Sequence, residues 1–137
     1  MISIASMSRR QAMALPLMAG INTTGSNARA ADSSVLVAYF SRTGNTRLIA
    51  TQIARALDAT LFRIVPAQPY PDDYEAQVAQ AENERERGYE PPLLETVPNL
   101  QIYETVFLGF PIWGMTAPAV IRTFLSQHDL SGLSCLS

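Results

Sequence analysis

Val35-Leu36-Val37-Ala38-Tyr39-Phe40 runs directly into Ser41-Arg42-Thr43-Gly44-Asn45-Thr46, and this junction decides the fold. The unbroken run, rich in β-branched and aromatic residues, predicts a buried strand. Three hydroxyls, an amide and a glycine follow, and then Ile49, Ala50, Ile53, Ala54 and Leu57 at helical spacing. A strand that ends in such a loop and opens into a helix presents free backbone N–H groups. With the helix dipole they form an anion site. Gly44 permits a tight turn that a side chain would obstruct. Ser41, Thr43, Asn45 and Thr46 can add donors. The stretch therefore predicts a phosphate-bearing ligand held without a lysine, a residue type the chain lacks.

Beyond this unit the pattern repeats. Thr60 to Val65 alternates like a strand nearer an edge, and Pro66, Pro69 and Pro71 end it. Asp72-Asp73 favour a helix start. Tyr74 to Arg87 predicts a solvated helix with a thin stripe of Tyr74, Val78 and Ala81 and with Glu82–Arg85 and Glu84–Arg87 at i,i+3. Gly88 to Gln101 reads as a long loop, which leaves Tyr89 free to cover a site. Thr105 to Phe110 is apolar enough for a central third strand. Pro118 suits a first helical turn, with Val120, Ile121, Phe124 and Leu125 as the buried face. The alternation β-α-β-α-β-α predicts a parallel sheet with helical crossovers.

Pro111-Ile112-Trp113-Gly114 forms the loop after that third strand and holds the only tryptophan. In a loop the indole face suits stacking on a planar ring.

Ser41-x-Thr43-Gly44-Asn45-Thr46 behind a first strand resembles the phosphate loop of the flavodoxin family. The resemblance implies an α/β fold, a flavodoxin-like doubly wound parallel sheet of order 2-1-3, and an FMN cofactor; in that order the loop after the third strand and Ser41–Thr46 meet at the switch point, where ligands bind, and flavodoxin is itself a standard example of it. It implies that Ser41, Arg42, Thr43, Gly44, Asn45 and Thr46 form the phosphate loop, with Arg42 either paired with the phosphate or, the favoured reading, turned to solvent because backbone amides already serve the anion. Pro111, Ile112, Trp113 and Gly114 would then flank the flavin ring, with Trp113 stacked on it. No catalytic side chain is required, because the flavin carries the redox chemistry. The function implied is that of an electron-transfer protein or flavin-dependent reductase, with a redox protein or small-molecule acceptor as partner. The resemblance covers about residues 33–134. The fourth and fifth strands are therefore expected to be missing or incomplete, leaving a C-terminally truncated domain, a weakened FMN site and a third strand with an open edge for self-association. The alternative is a non-enzymatic flavodoxin-fold remnant with weak or no flavin binding.

Length and composition agree with one domain: 137 residues, 47% hydrophobic, 16% charged. One cysteine and one histidine exclude an internal disulfide and argue against a Cys- or His-based metal site. His128, at the end of a helical pattern, is expected to be partly exposed. Ser8-Arg9-Arg10-Gln11, an apolar run from Ala12 to Ile21 and then Ala28-Arg29-Ala30 resemble a twin-arginine signal peptide with its cleavage site. The expected organisation is thus a signal peptide over 1–30 and the partial domain over 31–137. The destination is the periplasm, with the cytoplasm as the alternative. The apolar run is too short to span a bilayer. Without residues 1–30, seven of the ten arginines face all twelve acids, a balance that argues against nucleic acid as a partner.

Overall fold

A computed structural model describes residues 2–9 and 34–136. One five-stranded sheet organises them. In chain order the elements are β1 (Ile2–Arg9), β2 (Val35–Tyr39), α1 (Asn45–Leu57), β3 (Thr60–Arg63), α2 (Tyr74–Arg87), β4 (Thr105–Pro111), α3 (Ala119–Gln127) and β5 (Leu133–Leu136), with a 3-10 turn at Leu100–Ile102. The strand order is β3-β2-β4-β1-β5.

β2, β3 and β4 are the three strands expected from sequence, and β3-β2-β4 reproduces the order 2-1-3. Both pairings are parallel, with Leu36 opposite Thr60 on one side and Val106 on the other. The period of two sorts the apolar run of β2 between two cores. Leu36, Ala38 and Phe40 join Val106, Leu108, Val120, Ile121 and Phe124 in the larger one, beneath α3. Val37 and Tyr39 pack with Ala50 and Ala54 of α1 on the opposite face. Burial on both faces explains why β2 reads as apolar throughout rather than alternating.

The sheet differs from expectation beyond β4. That strand has no open edge, because β1 pairs antiparallel along it from Ile2↔Pro111 to Ser8↔Thr105. β5 pairs antiparallel with the outer side of β1, from Ser6↔Leu136 to Arg9↔Leu133, and so runs parallel to β4. The expected route to self-association through an uncovered third strand is thereby closed. The physical reason is the ladder itself: N–H and C=O groups along a central apolar strand require partners, and residues 2–9 supply them. Gly109 of β4 makes the fit possible. A Cβ there would lie 2.8 Å from Ile4 Cδ1 and 3.2 Å from Thr46 Cγ2. The apolar run Ala12–Ile21 and Ala28-Arg29-Ala30 lie outside the described residues.

His128 is buried, not partly exposed. Its Nε2 accepts the Val97 N–H at 2.9 Å, and its Nδ1 lies 2.7 Å from the Phe124 carbonyl. The two contacts define the neutral tautomer with hydrogen on Nδ1. The ring ties the long loop before β4 to the end of α3.

Candidate functional site

Where β2 ends, the chain turns through Ser41–Gly44 into α1. Gly44 is the helix N-cap, with φ 102°, a conformation that favours glycine. Its N–H donates to Ser41 Oγ at 2.9 Å, which closes the turn. No side chain caps α1, so the N–H groups of its first turn stay available to an anion. Thr46 is buried with its methyl towards Gly109, while Thr43 and Asn45 remain exposed at the mouth. Arg42 does not point back into its own loop. Its Nη2 donates to the Asp72 carbonyl at 2.7 Å, tying the loop to the approach to α2.

The second loop folds as a tight hairpin. Trp113 N–H donates to the Thr116 carbonyl at 2.8 Å, and Thr116 N–H returns to the Trp113 carbonyl at 3.1 Å. Gly114 and Met115 between them have φ of 58° and 67°. Two positive values mark a type I′ turn. Met115 holds this conformation without being a glycine and is 96% exposed. Trp113 is wedged edge-on between Phe40, 5.4 Å away between ring centroids, and Tyr70, 5.1 Å away. These perpendicular contacts fix the indole at the carboxyl end of the sheet.

The two loops share one cavity of about 280 Å³. Ser41, Arg42, Thr43, Asn45 and Thr46 of the first loop and Pro111, Ile112, Trp113 and Gly114 of the second line it. Gly44 does not line it and shapes the turn. The volume falls near the lower end of small-molecule sites, which run from about 300 Å³ upwards.

The third wall is α2, read from sequence as a solvated helix. Its thin stripe of Tyr74, Val78 and Ala81 faces the cavity, joined by Gln77, Glu82 and Arg85. Ile2 of β1 also lines it. Asp73 caps α2 by accepting the Ala76 N–H at 2.9 Å, and Gly88 ends it with φ 62°. Glu84 turns inward. It accepts from Tyr70 Oη at 2.7 Å and from Gln80 Nε2 at 3.0 Å. Burial, and then the bond to this carboxylate, hold the Tyr70 phenol well above its ordinary range. Tyr70 thereby joins α2 to Trp113. Gln77 is 4% exposed, and its Oε1 has no hydrogen-bond partner. Tyr89 does not reach the cavity; the Arg87 guanidinium lies over its ring at 5.2 Å. No signal in the sequence marks α2 as a cavity wall, because Gln77 and Glu84 are polar residues whose burial depends on tertiary partners.

Among the described residues no group of three His, Cys, Asp or Glu side chains could hold a metal. None of their helices is long and apolar enough to cross a membrane.

The family model for flavodoxin matches residues 34–136. Two crystal structures resemble the chain, each of a protein provisionally assigned as a flavoprotein. The one from Bacteroides eggerthii is 36% identical with a TM-score of 0.66, over 72% of this chain and 64% of that one. The one from Bacteroides uniformis is also 36% identical with a TM-score of 0.66, over 73% of this chain and 67% of that one. The chain thus spans about two thirds of the length of each. Among curated proteins nothing matches. A family match over most of the chain agrees with the phosphate-type loop after β2 and the tryptophan hairpin after β4: the chain belongs to the flavodoxin family.

Proposed function

We propose that the chain binds FMN in the cavity between α1, α2 and the Trp113 hairpin, and serves as an electron carrier or as the flavin-bearing part of a reductase. One observation carries this reading: an uncapped helix N-terminus and the only tryptophan line the same cavity. The residues fit the group. The first turn of α1 offers N–H donors to a phosphate, and Trp113 offers an aromatic surface to a ring system. Ile112, Val78 and Ala81 supply the apolar lining a flavin ring needs.

Bound there, FMN would supply the reversible uptake of electrons, and the chain would supply everything else. The α1 amides hold the phosphate end. Phe40 and Tyr70 keep Trp113 from turning. α2 excludes water from one face. The partner remains a redox protein or a small-molecule acceptor, reached from the exposed rim at Met115 and Ile112.

FMN titration of the full chain, followed by flavin fluorescence, tests the reading. Saturable quenching at one flavin per chain is expected. Unchanged fluorescence at micromolar chain would instead favour a flavodoxin-fold module without flavin.

Export by the twin-arginine route is part of the same proposal and rests on the residues around Arg9-Arg10. Since Arg9 ends β1, the export machinery would require this strand unpaired. Fusing residues 1–33 to a reporter, with and without Arg9→Lys and Arg10→Lys, tests it. Periplasmic reporter that disappears in the double variant is the expected result.

A further inference from the structure

We infer that Gln77 is a specificity-determining residue of the cavity and that its side-chain oxygen accepts a hydrogen bond from a hydroxyl on the chain joining the ligand's phosphate to its ring. The inference rests on the FMN reading above and assigns α2 a role in it.

Three observations lead there. Gln77 lines the cavity, is buried, and leaves Oε1 without a partner. A buried amide oxygen with no donor is costly, so such an atom in a native structure calls for an unseen partner. The second observation is direction. Arg42 of the phosphate loop bonds the Asp72 carbonyl just before α2, so the N-terminal end of the helix lies beside the anion end. At the other end, the Arg85 guanidinium lies against Gly114 of the hairpin. The helix therefore runs from the anion end to the aromatic end, and Tyr74 to Arg85 spans about 16 Å at 1.5 Å per residue. The third observation is position. Gln77 stands one turn in from Tyr74, past the phosphate but short of the ring wall formed by Trp113 and Gly114. A ligand stretched along this axis presents its linking chain there. In FMN that chain carries hydroxyls, which are donors, and a glutamine oxygen is an acceptor.

The test compares FMN with an isoalloxazine that carries a phosphopentyl chain without hydroxyls. Both are titrated by fluorescence into the full chain, Gln77→Met and Gln77→Glu. Methionine keeps the length and apolar stem but removes the amide. Glutamate keeps an accepting oxygen. The wild type is expected to prefer FMN by about tenfold, the worth of one buried hydrogen bond. Gln77→Met should abolish that preference by weakening FMN alone, and Gln77→Glu should keep the preference even if its charge weakens both ligands. Equal weakening of both ligands by Gln77→Met would overturn the assignment, as would equal binding of both by the wild type. A wild type that binds neither ligand would overturn the flavin reading itself and the role of Gln77 with it. A variant that fails to fold by circular dichroism leaves the other to decide the question.

Discussion

The guanidinium of Arg85 occupies the space in which a side chain on Gly114 would begin. Helix α2 and the tryptophan hairpin are thus fitted to each other at the ring end of the cavity. Gly114→Ala should act twice, through this contact and through the positive φ. The Arg85 end can swing away, so backbone strain dominates, at about 1–2 kcal/mol. Thermal unfolding measures that loss. FMN titration should show a weaker ring end, whereas Arg85→Met, which removes only the charged tip, should leave stability within about 0.5 kcal/mol.

Gly44 presents the contrasting case. Nothing lies within 4 Å of a Cβ built there, so Gly44→Ala meets no clash. Its φ of 102° still disfavours a side chain. The expected cost is about 1–2 kcal/mol of stability, with the anion end distorted as well. Chemical denaturation with and without inorganic phosphate separates the two. Phosphate should stabilise the wild type more than the variant.

Tyr70 predicts a response to alkali. Its phenol is held above its ordinary value of 10.0, first by burial and then by the bond to Glu84. A folded-state pKa raised above the unfolded one gives stability that is complete below about pH 10 and is lost as pH rises beyond it. Denaturant midpoints measured from about pH 8 to pH 11 should fall at the top of that range, and Tyr70→Phe should flatten the fall. At neutral pH the same variant removes a hydrogen bond to a buried carboxylate, at a cost of about 1.5–3 kcal/mol.

His128→Phe should preserve the contact with the Phe124 ring, now at 4.2 Å between centroids, yet strand two backbone groups. Val97 N–H and the Phe124 carbonyl would each lose their partner on the ring. About 2–3 kcal/mol of destabilisation is expected from urea unfolding.

Deleting residues 2–9 would uncover β4 along its whole length. An apolar central strand left without a neighbour is a template for another chain. Sedimentation should show oligomers or aggregate for the shortened chain where the full chain is smaller.

The junction from Val35 to Thr46 was legible in sequence because strand, turn and helix there are set by neighbours in the chain. The same holds for β4 and α3. The bounds of α2 were legible too, but its role was not. Its apolar stripe is narrow because it faces a cavity, and its buried members, Gln77 and Glu84, look like surface residues until a tertiary partner is seen. β1 was hidden for a different reason. Its register is dictated by Thr105–Pro111, and no local pattern in Ile2–Arg9 encodes that pairing.

The placement of β1 has a consequence in time. Its partners in β4 lie about a hundred residues later in the chain. At a synthesis rate of about 5–20 residues per second, residues 2–9 wait for something like 5–20 seconds before the strand they pair with exists. Throughout that interval they can be engaged by any factor that reads extended chain near the ribosome. Once β4 emerges, the sheet competes for the same residues. Under the export proposal, the fate of this segment is a race between its recognition and the completion of a strand that has yet to be made.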